Sequence, residues 1–114
     1  MASTSKYIFP ATTKGDTFPG TNFTIELNGS PLNLTGYTIT LWFRSGSQTG
    51  PIVKQLAIGN GITVTNPAAG QFSIGSFIVD MPVGQLYYDI QFQSGPTIKT
   101  YVYGTFEVLQ DVTQ

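Results

Sequence analysis

The chain has 114 residues, of which 40% are hydrophobic, 13% aromatic and only 10% charged, and its net charge is −1. That length suits one domain, and five scattered cations (Lys6, Lys14, Arg44, Lys54 and Lys99) cannot track a phosphate backbone, which argues against nucleic acid. With neither histidine nor cysteine, the chain has no imidazole acid–base chemistry, no thiol nucleophile, no disulfide framework and no thiolate metal site.

Residues 1–13 open the chain with a single charge and no sustained alternation. Within them, Tyr7, Ile8 and Phe9, followed by Pro10, form an apolar patch in an otherwise polar stretch. The stretch reads either as a frayed terminus or as an extended arm whose Tyr7, Ile8 and Phe9 dock on a partner. The core pattern then begins near Lys14, so the expected organisation is an arm over residues 1–13 and a β-domain over residues 14–114.

From there the period-2 signal of half-buried antiparallel strands dominates. Phe23, Ile25 and Leu27 alternate with polar neighbours, and the Asn28-Gly29-Ser30-Pro31 turn follows. Next, Tyr37, Ile39, Leu41 and Phe43 alternate with Thr38, Thr40, Trp42 and Arg44. Weaker strands are predicted at 52–58, 62–65 and 71–75, separated by Gly59-Asn60-Gly61 and Asn66-Pro67-Ala68-Ala69-Gly70. Residues 76–83 do not alternate and read as a loop or one helical turn crossing between sheets. Tyr88, Ile90 and Phe92 then point one way and Tyr87, Asp89 and Gln91 the other. After the Ser94-Gly95-Pro96 turn, Val102, Gly104, Phe106 and Val108 oppose Tyr101, Tyr103, Thr105 and Glu107. Closely spaced breaks between short strands indicate an all-β sandwich or barrel. Ile39 and Leu41 are expected to face the core from one sheet, and Ile90 and Phe92 from the other.

The candidate chemistry is sparse. Asp89 and Glu107 sit on outward phases of strands that could pair, but nothing marks them as a buried acid pair of the kind a glycosidase needs. No Asp-x-Asp-x-Asp loop provides a calcium site, and Gly59-Asn60-Gly61 precedes no helix and so is no nucleotide loop. No catalytic residue, metal site or cofactor is assigned. Trp42, Tyr87, Tyr101 and Tyr103 fall on the outward phase of their strands. Outward aromatics serve a protein interface or stack sugars, or they lie under covering loops.

The first residues lack the apolar stretch of a signal peptide, and no apolar run approaches the length of a membrane span. The expectation is synthesis in a cytoplasm and no membrane partner.

Several segments in order resemble one protein family. They are Gly15-Asp16-Thr17, Phe23 to Leu27, Gly29 to Gly36, Tyr37 to Leu41, Gly61 to Val64, Gly70 to Ile74, Gly84 to Gln91, and the close Gly104 to Val108 with Asp111-Val112-Thr113. Together they resemble the Ig-like β-sandwich module at the front of phage baseplate upper proteins and in related virion proteins of tailed phages. The resemblance spans residues 14–113. It implies an Ig-like antiparallel β-sandwich of seven to eight strands with a structural, non-catalytic role in a virion. The implied partners are other virion proteins and copies of the chain itself. Family members often continue into fibre or receptor-binding regions, and the close near Gln114 favours a small decoration, adaptor, baseplate or tail-associated subunit. The alternative is a carbohydrate-binding module that stacks glycan on Trp42, Tyr87, Tyr101 and Tyr103.

Overall fold

A computed structural model of the chain describes Ser5, Lys6 and residues 8–27 and 29–110. In chain order the strands are β1 (Ser5–Lys6), β2 (Phe9–Thr13), β3 (Thr17–Phe18), β4 (Thr21–Thr24), β5 (Glu26–Leu27) and β6 (Ser30–Pro31). They continue as β7 (Thr38–Ser45), β8 (Ile52–Ile58), β9 (Gly61–Asn66), β10 (Gln71–Ile74), β11 (Phe77–Ile78), β12 (Gly84–Ser94) and β13 (Thr97–Leu109). The fold is all-β, and the described residues contain no α-helix. Pro67–Ala69 forms a single 3₁₀ turn, with Gly70 in the left-handed region behind it.

Nine strands form one curled sheet in the order β1-β13-β12-β7-β8-β9-β10-β4, with β2 also on β13. β1 and β2 are two short pieces laid parallel along β13. Two small ladders, β3 with β11 and β5 with β6, complete the fold. The sheet turns its corner at Gly59-Asn60-Gly61, where both glycines have positive φ. There the amide of Asn60 donates to Ala57 O at 2.8 Å, and that of Ala57 to Asn60 O at 3.0 Å. The fold-back carries Phe72 of β10 against Phe92 of β12, with ring centroids 5.6 Å apart and edge to face.

The alternation read from the sequence holds where strands are long. Ile39, Leu41 and Phe43 on β7, Tyr88, Ile90 and Phe92 on β12, and Val102, Phe106 and Val108 on β13 are all buried. Two expectations change. β7 and β12 are hydrogen-bonded neighbours, with Leu41 opposite Ile90 and Ile39 opposite Phe92. These four side chains therefore share one face, and the apolar layer opposite comes from Ile62, Phe72 and Ile74 on β9 and β10. Residues 76–83 hold no helical turn. Phe77 and Ile78 pair with Phe18 and Thr17, and Val79 and Met81 are buried. This segment covers the core instead of flanking it, so its apolar residues follow no single period.

The third revision concerns the start of the core. Phe9 is 2% exposed. Its ring lies 4.7 Å from Tyr88, 5.4 Å from Phe106, 5.5 Å from Phe18, 5.9 Å from Phe43 and 6.3 Å from Phe23. The apolar pattern therefore reaches back beyond Lys14, and residues 9–13 belong to the main sheet.

Candidate functional site

The outer face of β7, β12 and β13 gathers most of the chain's outward aromatics. The antiparallel register sets Trp42 opposite Asp89 on one side and Tyr103 opposite Asp89 on the other. One row along, Arg44 and Thr105 flank Tyr87. Because alternate residues of a strand share a face, these side chains form two adjacent cross-strand rows. All of them are half-buried.

A groove of about 430 Å³ opens on this face, lined by Arg44, Gln48, Thr49, Tyr87, Asp89 and Tyr103. Tyr88 and Thr100 also border it. Gln48 and Thr49 come from the connection between β7 and β8, which is bonded to itself. The amide of Ser45 donates to Pro51 O at 3.1 Å, and that of Gly50 to Ser47 O at 3.1 Å. The Thr49 amide donates to Ser47 Oγ at 3.3 Å. Arg44 Nη1 donates to Gly50 O at 3.1 Å, tying the loop to the sheet face. A side chain at Gly50 would collide with Ser45 O, so glycine is what lets the loop close this tightly.

Burial on this face pushes the Asp89 carboxyl above its ordinary value. The nearby positive charge of Arg44 and a hydrogen bond to the residue's own backbone pull the other way without cancelling the effect. Glu107 is not its partner. Glu107 faces Gln85, whereas Asp89 faces Tyr103, four residues back along β13, so the two carboxylates are separated by about 13 Å of strand. The described residues hold no cluster of three or more His, Cys, Asp or Glu side chains able to take a metal ion.

Not all the residues singled out from the sequence meet here. Trp42, Tyr87 and Tyr103 share the outer face. Tyr101 does not: it is 6% exposed, with its ring 5.1 Å from that of Phe92. The cause is a bulge. Ile90 faces Val102 and Gln91 faces Thr100, which leaves Tyr101 as the extra residue on β13. A bulge breaks strict alternation, so Tyr101 and Val102 are buried in succession. Of the proposed arm residues, Ile8 is exposed at 61% and Phe9 is in the core, while Tyr7 lies outside the described residues. Phe9 is therefore not available to a partner. Arg44, Gln48 and Thr49 were not singled out from the sequence. Arg44 carried a signal, since it shares the outward phase of Trp42 on β7.

Neither a protein-family model nor a curated protein matches the chain.

Proposed function

We infer that the protein is a non-enzymatic structural subunit of a phage virion, built on an Ig-like β-sandwich and acting through protein–protein contacts. The strand order supports the Ig-like part of this reading. β4-β10-β9 and β7-β12-β13 are ladders of one curled sheet. In the Ig-like reading they would stand for the B-E-D and C-F-G orders of an immunoglobulin sandwich, with β8 as the extra strand beside C. The disulfide of antibody domains has no counterpart in a chain without cysteine. The inward tryptophan of strand C is replaced too, because Trp42 is on the outer face and Leu41 and Phe43 fill the core side.

The virion role rests on the resemblance of residues 14–113 to the phage module. The surface is compatible with it. Ile8, Ile52, Ile58, Ile78, Val83, Ile98 and Leu109 are all exposed on a chain with only 10% charged residues. The test is mass spectrometry of purified particles of the phage that encodes the chain. Recovery at a fixed ratio to the known structural subunits is the expected result. Particles that form and infect normally without any copy of the chain overturn the reading.

A further inference from the structure

We propose that the groove on the outer face of β7, β12 and β13 is a binding site for a neutral glycan. Tyr87 and Tyr103 would serve as stacking surfaces, and Asp89 and Arg44 as the hydroxyl acceptor and donor. This goes beyond the virion role and stands independently of it, because it concerns a soluble ligand and not a neighbouring subunit.

The chemistry of the lining selects the ligand class. At about 430 Å³, the groove falls within the range of small-molecule sites. It combines the Tyr87 and Tyr103 rings, the Asp89 carboxylate, the Arg44 guanidinium, the Gln48 amide and the Thr49 hydroxyl, with Tyr88 and Thr100 at its border. Aromatic faces match the C–H face of a sugar ring. A carboxylate accepts from hydroxyls, and a guanidinium with five N–H groups donates to ring and hydroxyl oxygens. Among the described residues, Gly50 O is the hydrogen-bond acceptor for Arg44, which leaves the guanidinium with donors for a ligand.

The same lining disfavours other classes. A purely apolar ligand would strip water from Asp89 and Arg44 and return no hydrogen bonds. An anion meets the carboxylate and a cation meets the guanidinium, so neither gains from the pair as a whole. A neutral polyol uses both. Asp89 is already partly desolvated, which pushes its carboxyl up, and charge-assisted hydrogen bonds from sugar hydroxyls would offset that cost. The loop that brings Gln48 and Thr49 to the groove is held by the Arg44–Gly50 hydrogen bond. That wall of the site is thus fixed before a ligand arrives.

The test is nitrogen-15 NMR titration of the full chain against an array of neutral oligosaccharides of glucose, galactose, mannose and N-acetylglucosamine. An oligogalacturonate and a short neutral peptide serve as controls. At least one neutral oligosaccharide is expected to move the amide resonances of Arg44, Tyr87, Asp89 and Tyr103. Asp89→Asn and Tyr103→Ala are expected to weaken that sugar at least tenfold. Tyr103→Phe should bind nearly as well as the unaltered protein, because its ring still stacks. Gln48→Ala lies on an exposed loop that the core does not need, and it should weaken binding several-fold in a protein that melts normally. Four results overturn the proposal: no neutral sugar on the array binds, binding is indifferent to these substitutions, the uronate is preferred, or the peptide alone shifts the same resonances. None of these bears on whether the chain is found in particles.

Discussion

Phe9 stacks on Phe106 with ring centroids 5.4 Å apart and planes 29° from parallel, and the two residues sit opposite one another where β2 runs alongside β13. The start of the chain therefore supplies a core ring to the end of it. Truncating a buried Phe to Ala typically costs about 3–5 kcal/mol, a large part of the roughly 5–15 kcal/mol that holds a small domain together. Phe9→Ala is expected to lower the denaturation midpoint sharply. Ile8→Ala, at an exposed position, should leave it nearly unchanged. Deleting residues 1–12 should unfold the domain, and a truncated chain that melts like the full one would show that Phe9 is dispensable.

Tyr101 and Tyr103 are two residues apart but occupy opposite environments. Tyr101→Ala is expected to destabilise by about 3 kcal/mol, as a core truncation does. Tyr103→Ala, on the half-buried outer face, should cost less than half of that. Urea denaturation of the two variants side by side measures the difference. Equal losses would place both rings in the core.

Gly70 turns the chain at φ 70° between the 3₁₀ turn and β10, and a Cβ there would run into Ile25 O and stand 2.9 Å from Leu32 O. Gly29 also has positive φ but has open space around it. A left-handed backbone alone costs a non-glycine residue roughly 1–2 kcal/mol. Gly29→Ala should lose about that much. Gly70→Ala should lose clearly more, because the surrounding backbone must also move. Thermal melts of both variants decide it.

The raised Asp89 carboxyl sets a pH dependence. A folded-state value above the unfolded one means the native protein binds more protons between the two, so stability falls as pH rises through that window. Among the described side chains, Arg44 and Tyr87 from the adjoining row and Tyr103 opposite are charged or titratable neighbours on this face, and Lys6 on β1 is registered against Tyr103. Asp89→Asn removes the titration. Relative to the unaltered protein, the variant should gain stability as pH rises from the usual carboxylate value through the raised one, then level off. Denaturant titrations between pH 3.5 and 7 measure this, and parallel curves for the two proteins would refute it.

The long strands were legible in the sequence because one face is apolar over many residues, as with Ile39, Leu41 and Phe43 on β7. Elsewhere the rule of two breaks down. Tyr101 reads as outward in the sequence because a bulge is silent in the residue pattern. Phe9 reads as part of an arm because a strand with a single core ring shows no alternation. The pairing of β7 with β12 lies beyond the reach of periodicity, which gives the face of a strand but not its neighbour. Trp42, Tyr87 and Tyr103 could be read as one surface. The groove could not, because Gln48 and Thr49 reach it on a loop closed by hydrogen bonds that Ser47 accepts from Thr49 and Gly50 and that Gly50 accepts from Arg44.

The parallel seam between β2 and β13 also governs how the chain is made. The two strands lie almost a hundred residues apart, and contacts between such distant partners form late and slow the search for the native state. During synthesis, Phe9 has no Phe106 to meet until β13 has been added. A nascent chain with every earlier strand complete still carries an unfilled core and an open sheet edge beside β12, the kind of surface that recruits chaperones or pairs with other copies. Its hazard therefore lasts until β13 has joined the sheet, and the β12–β13 hairpin acts as the clasp that ends it.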